Sequence, residues 1–206
     1  MYGCDKFCTY CIVPYTRGRE RSRRKEDILR EVEELKASGR KEVVLLGQNV
    51  NAYGKDLKME DGFTQLLVAV AKTGIERISF YTSHPRDYSE TTIDAMRDYP
   101  NIMPFLHLPV QSGSDEVLRR MARGYTAERY KQLYDDLKKK VPHIAFTTDL
   151  IVGFPNETDE EFEATLDLVR YCRFDMAYAF IYSPRAGTPA ANMEDNIPLE
   201  VKKERL

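Results

Sequence analysis

The sequence predicts an α/β fold in which parallel strands alternate with helices. Five short apolar segments, each bounded by polar or turn residues, have the length of buried strands. Segments with helical periodicity lie between them. Apolar runs without strict alternation are typical of strands covered on both faces, and their alternation with helices indicates a parallel sheet. Periodicity alone does not distinguish an open sheet from one that curls into a barrel.

The strand segments are spread evenly along the chain. They are "EVVLLG" (42–47), "RISFYTS" (77–83), "MPFLHLPV" (103–110), "IAFTTDLIVGF" (144–154) and "DMAYAFIYS" (175–183).

The helical segments carry end signals. "KEDILREVEELKASG" stops at Gly39, a common helix C-terminal residue, and Thr158 with Glu161 forms a capping-box pattern at the start of 158–172. Further helices are predicted at 63–74, 114–121 and 126–140, and from Pro198 onwards.

Both ends of the sequence favour a fragment. Only Met1–Gly3 remains where a strand is expected, and the last predicted helix runs to Leu206. We therefore expect residues 1–206 to be one catalytic domain of a longer protein.

The composition is that of a globular domain. The chain has 206 residues with 31 basic and 33 acidic side chains, so net charge identifies no anionic partner. No apolar run is long enough to cross a bilayer. Four cysteines, three of them clustered, do not suggest a disulfide framework, and we expect a reducing, cytoplasmic compartment.

The cysteine cluster is the strongest chemical signal. "GCDKFCTYC" places Cys4, Cys8 and Cys11 within eight residues, and every histidine is distant in sequence. A structural zinc site has four protein ligands, whereas three thiolates can hold three irons of a 4Fe-4S cluster. The fourth iron then stays open for a small molecule.

A structural interpretation of the cysteines is also possible. The three thiols at these spacings could share one helix face, but Pro14 and the polar residues between them disfavour a helix there. Cys172 ends an amphipathic segment alone, which predicts a small buried side chain.

Several motifs together are similar to those of one enzyme family. The spacing C-x-x-x-C-x-x-C with Tyr10 before the last cysteine resembles the signature of radical S-adenosylmethionine enzymes. "LLGQNVNAYG", "HLPVQSGSDEVLRRMARGYT", "DLIVGFPNETDEEFEATL" and "RAGTPAA" resemble its methylthiotransferase branch. "VPYTRG" and "TSHP" favour the tRNA-2-methylthio-isopentenyladenosine synthases within that branch.

This resemblance implies a fold and a reaction. The fold is a partial, TIM-like (β/α) barrel with the cluster loop after its first strand. The 5′-deoxyadenosyl radical from S-adenosylmethionine takes hydrogen from carbon 2 of isopentenyladenosine, next to the anticodon in tRNA, where a methylthio group is added. The family also has an N-terminal domain with a second 4Fe-4S cluster and a C-terminal RNA-binding domain, both absent from this sequence.

The resemblance assigns ligand-binding residues but no catalytic side chain beyond the cluster. Cys4, Cys8 and Cys11 are the metal ligands. The residues implied in binding S-adenosylmethionine are Tyr10, Gly47, Gln48, Asn49, Gln111, Arg123, Asp149 and Gly153.

Each assignment has a chemical reason. Gln48 and Asn49 offer amides to the methionine amino group, Arg123 offers a fork to its carboxylate, and Gln111 binds a ribose hydroxyl. An acid in a buried strand, as predicted for Asp149, needs a hydrogen-bond partner, which ribose would supply; a satisfied core carboxylate is the alternative.

Two positions concern the backbone. Gly153 permits close approach of the backbone to adenine. Asn156 replaces the glycine of the family's "GFPGET" turn, and asparagine tolerates the left-handed conformation that such a turn requires.

A basic run follows the cysteines. Arg17, Arg19, Arg21, Arg23 and Arg24 suit phosphate contacts to an RNA stem-loop, although such runs are often solvated surface.

Other functions remain open from the sequence. The relatives include enzymes that act on threonylcarbamoyladenosine in tRNA or on a ribosomal protein. A non-catalytic iron–sulfur electron carrier also explains the cysteines, and a zinc-ribbon domain lacks its second ligand pair. The expected partners are tRNA and a reducing electron donor, with no membrane, and the expected state is a monomer.

Overall fold

The computed structural model describes residues 1–206. Its five strands are β1 (Glu42–Leu45), β2 (Arg77–Phe80), β3 (Phe105–His107), β4 (Ala145–Val152) and β5 (Met176–Ile181). Its eight α-helices are α1 (Val13–Arg17), α2 (Lys25–Ala37), α3 (Gly62–Lys72), α4 (Glu90–Asp98), α5 (Asp115–Arg120), α6 (Ala127–Lys140), α7 (Asp159–Cys172) and α8 (Leu199–Arg205).

All pairings between these strands are parallel. β1 pairs with β2, and β4 lies between β3 and β5. A parallel bridge between Ile78 and Ile102 continues from β2 towards the second sheet. Each strand segment predicted from the sequence contains one observed strand, so the α/β prediction is confirmed.

The helices cover one face of the strands. α3 packs against α4, α4 against α6, and α6 against α7. Beneath them lies a core of 30 buried residues, among them Leu67, Ile78, Leu106 and Phe146, which are fully buried. Burial of apolar side chains on this scale is the main stabilising contribution to such a domain.

Local signals set several helix boundaries. Thr158 accepts from the amide of Glu161, whose carboxylate accepts from the amide of Thr158, so the predicted capping box forms. α4 was not predicted from the sequence, although Ser89 caps its N-terminus by accepting from the amide of Thr92.

The opposite face of the strands is open. Leu46, Tyr178 and Phe180 are each about half exposed or more. The prediction that the last strand segment is buried is therefore wrong for this chain, because Met176–Phe180 are exposed on both faces of β5 and no further strand pairs with its outer edge. No helix has both the length and the apolar character needed to cross a membrane.

Candidate functional site

The backbone of the cysteine loop is irregular, so the interpretation that the three cysteines share one helix face is wrong. Its thiols are free, with Cys8 buried and Cys4 and Cys11 partly exposed. The amide of Cys4 donates to the carbonyl of Gly18 (3.2 Å), and that of Cys11 to the carbonyl of Cys8 (2.9 Å). These bonds shape a loop after which α1 begins.

The loop is not arranged around a single metal ion. No three His, Cys, Asp or Glu side chains form a group that could hold one. A 4Fe-4S cluster has a different requirement, since each cysteine binds its own iron. Burial raises the pKa of Cys4 to about 11 and also raises that of Cys11, so their thiolates require stabilisation by bound positive charge.

Arg123 connects the loop after α5 to the cysteine loop. The residue is only 5% exposed, and its Nη1 lies 3.4 Å from Cys8 Sγ and 3.4 Å from the Tyr10 hydroxyl. Its other nitrogens donate to the Tyr125 hydroxyl (3.0 Å) and the Pro109 carbonyl (2.8 Å). None of these partners is a carboxylate, so a buried cation faces the cysteine loop without a carboxylate partner.

The segment after β1 lies beside the same loop. Gln48 Oε1 accepts from the amide of Gly3 (3.0 Å), and Asn49 Nδ2 donates to Asp87 (2.6 Å). Gly47 accepts a hydrogen bond from the Thr82 hydroxyl. Both side-chain amides are thus engaged by the protein, while Asn49 Oδ1 is buried without a partner and remains an available acceptor.

Gln111, four residues beyond the end of β3, lies next to Asp149 in the middle of β4. The amide of Gln111 donates to the carbonyl of Asp149 (2.8 Å), and Gln111 takes the left-handed conformation, φ 74°. The Asp149 carboxylate lies 3.5 Å from His107 Nε2 and is 29% exposed. The expectation that Asp149 is buried is therefore wrong, because its side chain lies on the open face.

Gly153 is approached by the protein itself. A Cβ at this position would lie 2.5 Å from Lys202 Cγ of α8, and its φ of 67° favours glycine. Its amide donates to Glu157 Oε2 (2.7 Å). The side of Gly153 where a Cβ would point is thus covered by α8.

Two functional candidates near the loop were missed from the sequence. Asp87 follows β2 and binds Lys6 of the cysteine loop, and His84 is buried with its Nε2 lacking a partner. Burial, together with the positive charges of Arg123 and Lys6, lowers the pKa of His84 to about 2. Both residues follow the quoted "TSHP" motif or lie in it, which was the available signal.

The basic run divides into paired and unpaired arginines. Arg19 pairs with Asp5 and Arg23 with Glu31. Arg17, Arg21 and Arg24 are exposed and form no ion pair. The exposed cations lie immediately after the cysteine loop in the chain.

The fold is a parallel α/β domain with three free cysteines in one loop, which is the arrangement expected of a radical S-adenosylmethionine enzyme. The family model of the Radical SAM superfamily matches residues 1–169. The chain therefore belongs to this superfamily, as the sequence motifs predicted.

Curated relatives are more specific. The chain is 61% identical over 207 residues to the tRNA-2-methylthio-N(6)-dimethylallyladenosine synthase of Geobacillus kaustophilus, and 60% identical to the protein of that name from Bacillus subtilis. These alignments cover 100% of this chain but 39% and 41% of the relatives. The chain thus spans about two fifths of their length.

Solved structures share the fold at low sequence identity. The radical S-adenosylmethionine methyltransferase TsrM from Kitasatospora setae aligns with a TM-score of 0.74 at 18% identity, covering 92% of this chain and 37% of that one. The coproporphyrinogen III oxidase HemN from Escherichia coli aligns with a TM-score of 0.66 at 19% identity, covering 100% and 48%. These similarities establish the fold class.

Proposed function

We propose that this chain is the radical-generating core of a tRNA methylthiotransferase that acts on carbon 2 of isopentenyladenosine. Its cofactors are a 4Fe-4S cluster held by Cys4, Cys8 and Cys11, and S-adenosylmethionine. The identity of about 60% to synthases of this name over the whole chain supports the substrate class. A tRNA substrate also places the reaction in the cytoplasm.

The observation that carries the proposal is the position of Arg123. A guanidinium buried without an anion is costly, and here it faces Cys8 with no carboxylate among its hydrogen-bond partners. An anionic cluster and the carboxylate of a bound cosubstrate would both compensate this charge. Arg123 and the three cysteines therefore fit a 4Fe-4S cluster and S-adenosylmethionine.

When bound, the cluster supplies the electron that cleaves S-adenosylmethionine to methionine and a 5′-deoxyadenosyl radical. The side chains of this protein bind and orient the cosubstrate. Arg123 receives the carboxylate, and the segment Gly47–Asn49 receives the amino group, with Asn49 Oδ1 as an unused acceptor. Gln111 and Asp149, adjacent through their backbones, receive the ribose, and Tyr10 orients Arg123.

The remaining assignments concern the longer protein. We place the second cluster and an RNA-binding domain outside residues 1–206, and expect this chain alone to cleave S-adenosylmethionine without inserting sulfur. The arginines after the cysteine loop contact the phosphates of the tRNA. A reducing protein supplies the electron.

Anaerobic reconstitution tests the proposal. The chain is loaded with iron and sulfide, mixed with S-adenosylmethionine and dithionite, and analysed for 5′-deoxyadenosine. We expect product from the wild type and from Cys172→Ala, and none from Cys8→Ala. Cys172 is the matched control because it is a buried cysteine at the end of α7, packed in the main core and not in the cysteine loop.

The competing function is a non-catalytic iron–sulfur module. It predicts a cluster that depends on the three cysteines but does not bind S-adenosylmethionine. A cluster-loaded chain that neither binds nor cleaves the cosubstrate would refute the proposed enzyme and support the electron carrier.

A further inference from the structure

Asp87 receives hydrogen bonds from two separate parts of the chain. It ends the short 3-10 helix Pro85–Asp87 that follows β2, and its side chain is only 4% exposed. Lys6 Nζ lies 2.6 Å from Oδ2 and 2.8 Å from Oδ1. Asn49 Nδ2 lies 2.6 Å from Oδ2, and Lys55 Nζ lies 2.7 Å from Oδ1.

The charges make Asp87 a strong acceptor. Two ammonium groups and one amide converge on a single buried carboxylate, and Lys6 itself is only 11% exposed. Burial raises the pKa of Asp87, but the hydrogen bonds from Lys55, Lys6 and Asn49 outweigh it and lower the pKa to about 2. The carboxylate is therefore ionised at neutral pH.

The segments that Asp87 joins are those that would handle the cosubstrate. Lys6 lies between Cys4 and Cys8, and Asn49 belongs to the segment after β1. Other contacts hold the loop elsewhere: the amide of Asp5 donates to Glu20 (3.3 Å), and that of Thr9 to the carbonyl of Met121 (3.0 Å). The contact through Lys6 fixes the middle of the C-x-x-x-C stretch against the ends of β1 and β2.

We propose that Asp87 is a positioning residue that fixes the cysteine loop against the segment after β1 by holding Lys6 and Asn49 together. Its consequence for the cosubstrate rests on the proposed function. With the Asp87 carboxylate in place, the cysteine loop that would hold the cluster stays fixed relative to Asn49 Oδ1, the buried acceptor without a partner. The amino group of S-adenosylmethionine would then meet the segment Gly47–Asn49 without rearrangement of the loop.

The first test measures amide hydrogen exchange in the chain without cofactors. Lys6→Met removes the positive charge of the pair and keeps most of the side-chain volume. Asp87→Asn removes the negative charge of the same pair. We expect exchange at Cys4, Thr9 and Cys11 to accelerate about tenfold or more in both variants, because an anchor of the loop is lost. Exchange in α6 should not change.

The matched control is an exposed ion pair. Lys41 and Glu76 are 65% and 60% exposed and join the segments that lead into β1 and β2. Lys41→Met should leave exchange in the cysteine loop unchanged. Lys6→Met also guards against misfolding of Asp87→Asn, since Asp87 keeps Lys55 and Asn49 in that variant.

The second test uses the cluster-loaded chain. We expect Lys6→Met and Asp87→Asn to retain the iron content of the wild type but to bind S-adenosylmethionine about tenfold more weakly, with the double variant no worse than either single one. Unchanged loop exchange in both variants would overturn the positioning role. Failure of the wild type to bind the cosubstrate would instead refute the proposed function, and the exchange data would still decide the role of Asp87.

Discussion

Arg123 Nη1 lies 3.4 Å from Cys8 Sγ, although the two residues are 115 positions apart in the sequence. This contact places a buried positive charge against the central cysteine of the loop. The planar guanidinium is fixed by Tyr125 and Pro109, so its direction is set before any ligand arrives.

Replacing this guanidinium should weaken cosubstrate binding. Arg123→Lys keeps the positive charge but loses the paired N–H groups that bind a carboxylate. Because a charge-assisted hydrogen bond contributes about 1.5–3 kcal/mol, affinity for S-adenosylmethionine should fall about tenfold to a hundredfold. Equilibrium dialysis with the cluster-loaded chain measures it. Arg129→Lys, on the exposed part of α6, is the control. Equal affinities in the two variants would remove Arg123 from the binding site.

His84 predicts a loss of stability in mild acid. Its folded-state pKa of about 2 lies below the ordinary histidine pKa of 6.5, so below pH 6.5 the unfolded chain binds a proton that the folded chain does not. The free energy of unfolding should therefore fall by up to ~1.4 kcal/mol per pH unit from this residue as the pH drops from 6.5 towards 5.

Urea unfolding at several pH values checks this effect. His84→Asn should flatten the dependence between pH 6.5 and 5, while His143→Asn, at an exposed position, should retain the wild-type slope. A wild-type slope in His84→Asn would show that the acid sensitivity arises elsewhere.

The unpaired arginines predict salt-dependent RNA binding. Replacing Arg17, Arg21 and Arg24 by glutamine should reduce the slope of log K against log salt concentration by about 2 to 3, if each contacts one phosphate. Binding of an RNA stem-loop at several salt concentrations measures the slope. The control replaces Arg40, Arg129 and Lys139, which are exposed and unpaired on other surfaces. Equal slopes in both triple variants would argue against a defined RNA surface.

Glu157 and Arg205 form a buried pair that fixes α8. Their charged atoms lie 2.9 Å apart, with side chains 1% and 7% exposed. Glu157→Gln keeps an acceptor for the Gly153 amide and leaves Arg205 only its pair with Asp159, whose side chain is 90% exposed. The variant should therefore lose somewhat less than the ~3–5 kcal/mol typical of a broken buried pair, about 2–4 kcal/mol of the free energy of unfolding.

Chemical denaturation measures this cost. Glu200→Gln disrupts the exposed pair with Lys203 in the same helix and should change stability by less than about 1 kcal/mol. If the two substitutions lowered the free energy of unfolding by similar amounts, burial of the Glu157–Arg205 pair would make no extra contribution to stability.

Local chemistry was readable from the sequence. The capping box at Thr158 sets the start of α7, and Asn156 takes the left-handed conformation expected of it, with φ 62°. Cys172 is fully buried, as its lone position at a helix end predicted. These features depend on residues a few positions apart, so pattern and spacing contain the information needed.

The exposure of β5 and the burial of the Asp87 carboxylate follow from the tertiary structure. An apolar strand pattern shows which side chains can be buried, but not whether another segment covers them. The Lys6–Asp87 contact joins residues 81 positions apart, and the loop packing, not either local sequence, brings them together. The alternation of strands and helices could be predicted from the amino-acid sequence because it follows from local periodicity, and the cysteine spacing is read directly from it. The tertiary structure decided which charges face those cysteines, because a buried ion's partners depend on the packing of distant segments.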